Sequence, residues 1–156
     1  MFDQLNGLPV HVLVIHAVVI LVPTAAVGMV AITARARWRR PYGPLVALVA
    51  TGALVATPVA TNSGQWLRGR LGYPEDGFRH GELGEQVLWF MLPFWVLTVA
   101  VVLLDRYWTG SARRPMALFV VAVLASVSGL AATAQVIRTG DSGAESVWTG
   151  RIPPEP

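Results

Sequence analysis

A chain of 156 residues that is 54% hydrophobic and only 13% charged lies outside ordinary soluble domains, where about a quarter of residues are charged. Its net charge of +3 rests on arginine alone, with no lysine. The absence of cysteine excludes disulfides, thiolate-bound zinc, iron–sulfur ligation and cysteine nucleophiles.

Four stretches carry no Asp, Glu, Lys or Arg: Gln4 to Ala34, Pro41 to Leu67, Gln86 to Leu104 and Pro115 to Ile137. A helix rises about 1.5 Å per residue, so about 20 apolar residues cross a hydrocarbon core of roughly 30 Å. In water these surfaces would all have to be buried, and so short a chain offers too little else to bury them. The pattern predicts an all-α fold, an integral membrane four-helix transmembrane bundle forming one domain over residues 1–156. Spans are expected at about 8–34, 43–63, 83–104 and 115–137, followed by an extracytoplasmic tail over 138–156.

The first span follows an N-terminus without the basic region of a cleavable signal peptide, so it is expected to remain in the membrane. Pro23, Pro58 and Pro93 fall inside the first three spans, where each removes a backbone hydrogen bond and tends to kink the axis. Ala125, Gly129 and Thr133 recur every four residues in the fourth span, and Gly52, Ala56 and Ala60 in the second. Such small-residue strips let helices approach closely, within the bundle or across a homodimer seam.

The loops between spans set the orientation. Arg35, Arg37, Arg39, Arg40, Arg106, Arg113 and Arg114 lie on one side with Asp105 as the only acid, giving +7 − 1 = +6. The other side has Arg68, Arg70, Arg79, Arg138 and Arg151 against Asp3, Glu75, Asp76, Glu82, Glu85, Asp141, Glu145 and Glu155, giving +5 − 8 = −3. Arginine-rich short loops stay cytoplasmic, so both termini are expected to be extracytoplasmic in a multi-pass protein of the plasma (inner) membrane. Topology accounts for the arginines, and no nucleic-acid partner is implied.

All three histidines, His11, His16 and His80, fall at the extracytoplasmic ends of spans one and three. Glu82, Glu85, Arg138 and Asp141 lie on the same side. If the first helix starts near Leu8, His16 lies about 12 Å inside the boundary, where an ionisable group suggests function. It is expected to face the bundle interior, with Gln65, Gln135 or Thr133 as hydrogen-bond partners. His11 precedes it by five residues, about 140° around the helix, so the two cannot easily ligate one metal. Glu82 and Glu85 suit the positive end of the third helix. His80 could ligate a metal, accept a proton or cap that helix.

No Glu-x-x-His pair of the di-iron type is present, nor a zinc-protease pattern, a phosphate loop or a Gly-x-Ser-x-Gly elbow. No catalytic residue is assigned, and an enzyme is not the favoured reading.

The opening Leu8-Pro9-Val10-His11-Val12-Leu13-Val14-Ile15-His16 resembles the start of the bacterial membrane family called domain of unknown function 2231. That family's first helix typically opens on a Pro–His step with a second His a few residues on; here Val10 intervenes. The Thr61–Arg70 segment, the His80-Gly81-Glu82-Leu83-Gly84 step and the stretch from Arg138 through Asp141 to Trp148 also resemble actinobacterial members. The resemblance implies a four-helix membrane protein. Some relatives are fused to Rieske iron–sulfur or cytochrome-like modules, which implies redox work, and the matching positions are His16, His80, Arg138 and Asp141.

Two readings of function follow. In one, His16 and His80 bind haem b or a single metal ion at one site, with Arg138 or Arg79 pairing haem propionates, and the protein serves electron transfer. In the other, the protein is a cofactor-free accessory or assembly subunit of a larger membrane complex. Its partners are then the lipid bilayer and membrane proteins or a second copy. A transporter ranks third, because no inverted repeat is evident.

Overall fold

The computed structural model describes residues 4–73, 79–107, 114–149 and 151, without the side chains of Leu5, Arg114 and Pro115. Four long helices dominate them: α1 (Val10–Ala34), α2 (Arg39–Leu71), α3 (Arg79–Tyr107) and α4 (Arg114–Trp148). All four are long and apolar enough to cross a membrane. A single 3₁₀ turn, Ala36–Trp38, joins α1 to α2. Pro23, Pro58 and Pro93 lie inside α1, α2 and α3 as expected, and α2 also holds Pro44.

The helix ends differ from the expected ones in instructive ways. Residues 4–9 form a small antiparallel hairpin, β1 (Gln4–Leu5) and β2 (Leu8–Pro9), and α1 begins only after it, at Val10. Asn6 at φ 51° and Gly7 at φ 81° make its turn, the Asn-Gly pair that two-residue hairpins favour. At its far end α2 outruns the expected 43–63 span, closing at Leu71 on Gly72 in the left-handed conformation. There Tyr73 N–H reaches back to Arg68 O at 3.2 Å, a glycine-dependent helix stop. Likewise α4 continues to Trp148 instead of giving way to a tail after residue 137. The change to polar residues marks where the helix stops being apolar, not where it ends.

Each helix packs on two neighbours, in the cyclic order α1–α2–α3–α4, which places α1 diagonal to α3. The core is built of small and medium residues, including Val22, Ala25, Met29, Ala50, Ala53, Met91, Phe94, Ala125 and Ala132. Large apolar residues such as Ile20, Val27, Leu48, Val55, Trp89 and Val127 are exposed instead. Water would penalise that arrangement, whereas lipid tails solvate the outer side chains and close approach of small residues holds the helices. Gly129 is the tightest instance, since a Cβ there would sit 2.7 Å from Phe94. In α2 the expected strip is displaced: Gly52 is exposed, and the buried line runs through Gly43, Val46, Ala50, Ala53, Thr57 and Ala60.

Polar side chains tie neighbouring helices where lipid offers no competing water. Thr33 Oγ1 and Ser126 Oγ are 3.0 Å apart across α1 and α4, and Trp95 Nε1 donates to Thr51 Oγ1 at 2.8 Å across α3 and α2. The buried Gln135 amide donates to Leu83 O at 3.1 Å.

The pattern of buried positions also repeats between the two α-hairpins. Buried positions of α1 recur in α3 at a constant offset of 69 residues, the spacing from His11 to His80: Val18 with Val87, Val22 with Met91, Ala25 with Phe94, Ile32 with Val101. Those of α2 recur in α4 at 79, the spacing from Gly64 to Gly143: Val46 with Ala125, Ala53 with Ala132, Thr57 with Val136. The two α-hairpins thus bury matching positions, a likeness of the parallel rather than the inverted kind.

Candidate functional site

His11 sits in the first turn of α1 and His80 in the first turn of α3, so diagonal helices present them at the same end of the bundle. Their rings meet across the axis, with centroids 6.3 Å apart and planes at 80°.

Each ring is seated in the same way on the following helix. His11 Nδ1 lies 2.9 Å from Ala60 O, and His80 Nδ1 lies 2.9 Å from Thr139 O. A carbonyl oxygen only accepts, so each Nδ1 carries the hydrogen and donates it, which leaves the ring's basic lone pair on Nε2. Ser142 Oγ stands 3.4 Å from His80 Nδ1 as well. One turn beyond each carbonyl is a glycine. A Cβ on Gly64 would fall 2.9 Å from His11 Cε1, and one on Gly143 would fall 2.9 Å from His80 Cε1. No side chain fits between ring and helix at either place. The structure thus repeats one device twice: an imidazole set against a glycine of the following helix and held by Nδ1 on a backbone carbonyl. Both rings are half-buried.

This arrangement reassigns the residues singled out in the sequence. His16, expected to face inward, is exposed, and its Nδ1 bonds Val12 O of its own helix. It does not converge with His80; His11 does. The reason is angular, since the five-residue step that separates the two histidines turns His16 away once His11 faces the axis.

The partners proposed for His16 are engaged elsewhere: Gln65 donates to Glu85 Oε1 at 2.9 Å, Gln135 to Leu83 O, and Thr133 to Gly129 O. Arg138 and Asp141 are exposed on α4, and the residues of that turn that touch His80 are Thr139, Ser142 and Gly143. Glu82 and Glu85 are exposed on the first two turns of α3, and Arg79 Nη1 lies 4.0 Å from Glu145. Gly64 and Gly143 were missed in the sequence. The signal that could have found them is the pairing of His11 with Gly64 and His80 with Gly143, which emerges only when the two halves are aligned.

Among the described residues no three His, Asp or Glu side chains converge.

A family described as predicted membrane protein, domain of unknown function 2231, matches residues 7–155. The chain belongs to this family. No curated protein and no solved structure matches it. Membership in domain of unknown function 2231 accords with the four membrane-spanning helices, and it carries no assigned ligand or reaction.

Proposed function

We propose that this protein is a membrane subunit that holds a metal centre, haem b or a single ion, between His11 and His80. By the arginine distribution that end of the bundle faces out of the plasma membrane. The observation that carries the reading is the double anchoring of the pair. Metal-ligating histidines characteristically donate their other ring N–H to a carbonyl or carboxylate, which fixes the ring and raises the basicity of the ligating nitrogen. Both imidazoles meet that condition, and their rings lie edge to face with centroids 6.3 Å apart. A haem occupant would make the protein an electron carrier, a bare ion an ion-handling one.

The runner-up is a cofactor-free accessory or assembly subunit. One observation favours it: the same Nδ1 bonds tie α1 to α2 and α3 to α4, a structural role that accounts for both histidines by itself. Purification in mild detergent, followed by a visible spectrum and elemental analysis, separates the two. The metal reading expects about one equivalent of haem iron or of another transition metal per chain. Protein that is colourless, metal-free and takes up neither haem nor metal ions on incubation would leave the accessory role standing.

A further inference from the structure

Independently of what the histidines hold, we infer that the opposite end of the bundle seats an anionic phospholipid at the corner where α1 turns into α2. The turn places a cation on an aromatic pair. The Arg35 guanidinium lies 4.6 Å from the Trp38 ring centroid, and Trp38 meets Tyr42 edge to face with centroids 6.1 Å apart. Trp38 packs against the core, so the bundle holds the base of this stack, while Arg35, Arg37 and Tyr42 are exposed. Among the described residues no carboxylate pairs with Arg35 or Arg37. Asp105, the only acid on that side, lies 4.0 Å from Arg40. Insertion requires only that arginines stay on this side; it does not require two of them to stand exposed beside aromatics with no carboxylate. A guanidinium so placed matches a phosphodiester, which it binds through two parallel N–H groups.

The surface that continues from the stack makes the ligand a lipid. Tyr42, Leu45, Leu48 and Gly52 are exposed along one face of α2. From Tyr42 to Gly52 the helix rises about 15 Å, one leaflet's share of a hydrocarbon core of roughly 30 Å. At the deep end Gly52 adds no side chain, and Leu21 of α1 borders the strip, since a Cβ on Gly52 would lie 3.6 Å from Leu21 Cδ1. A headgroup at Arg35 and Arg37 therefore continues into an acyl chain laid over Leu45 and Leu48. A free phosphate or an acidic peptide would use the arginines and leave the strip idle. By the arginine distribution the leaflet is the cytoplasmic one. The histidine end differs: Arg70 also lies over a ring, 5.3 Å from the Trp66 centroid, but on the acid-rich side.

The test is native mass spectrometry of the detergent-purified full-length chain, offered phosphatidylglycerol and phosphatidylcholine with identical acyl chains. One anionic lipid per chain should be retained, at least about tenfold in preference to the zwitterionic one. Arg35→Gln and Arg37→Gln should each lose about fivefold, and the double variant should bring the two lipids near parity. Because removing two topogenic charges could disturb insertion, the single variants carry the test if the double variant does not purify. Arg70→Gln should keep the preference. Melting in detergent gives a second readout, in which phosphatidylglycerol raises the wild-type melting point and inorganic phosphate does not. Equal retention of the two lipids overturns the seat. A preference lost equally in Arg70→Gln reports net charge alone and overturns it too. A melting shift reproduced by inorganic phosphate makes the ligand a free anion and overturns the lipid.

Discussion

His11 and His16 differ by five positions in sequence and by their whole environment in the fold. The residue types and their end of the bundle were legible: three histidines at one end of an otherwise apolar chain marked where polar chemistry gathers. Which of them points inward was not, because the rotational phase of α1 depends on its start, and an Asn-Gly hairpin holds that start at Val10. The difference is measurable. His11→Ala removes an interhelical bond and opens the space beside His80, so it should cost about 1–3 kcal/mol in detergent melts. His16→Ala should stay within about 0.5 kcal/mol of wild type, as exposed substitutions usually do. Equal losses for the two variants would contradict the placement of His16. Gly129 was also legible, as part of a small-residue strip, though not its partner Phe94. Gly129→Ala should destabilise by about 1–3 kcal/mol through overpacking, and Phe94→Leu should recover part of that loss. A melting point unchanged by Gly129→Ala would contradict the contact.

The helices themselves were read from charge-free stretches, and all four exist. Their ends were not, because absence of charge reports lipid exposure while a helix persists as long as its backbone bonds do. Hence α2 and α4 run past their apolar stretches, and the residues of α4 that seat His80, Thr139 and Gly143, lie in what the sequence suggested was a tail. At the other end of the bundle, Arg39 looked like one more topogenic charge. It is buried, with Nε donating to Ile32 O at 3.2 Å and Nη2 to Thr33 O at 3.4 Å. It closes the carbonyl end of α1, where a cation also meets the negative pole of the helix dipole. Arg39→Ala should therefore lower stability by about 1–3 kcal/mol, while Arg37→Ala, at an exposed position, should leave the melting point nearly unchanged. A neutral Arg39→Ala would show that its bonds are not needed in the folded protein.

For the molecule as a whole, the four-span architecture was readable because hydropathy is a strong, local signal. The twofold arrangement was not, since most of the paired buried positions differ in residue: Ala25 answers to Phe94, Thr57 to Val136. At the histidine end of the bundle His11 with His80, Ser63 with Ser142 and Gly64 with Gly143 keep the same residue. The +6 and −3 sides predict an orientation with both termini extracytoplasmic, and reporter fusions after Arg40 and after Trp148 should report opposite compartments. A shared compartment would contradict four crossings. One metal held by both imidazoles, His11 and His80, has a direct signature in X-ray absorption spectroscopy of the metal-loaded protein. Two imidazoles with nitrogen at about 2 Å are expected in the wild type and in His16→Ala, and one in His11→Ala or His80→Ala. Fewer than two imidazoles in the wild type, or loss of imidazole scattering in His16→Ala alone, would contradict it.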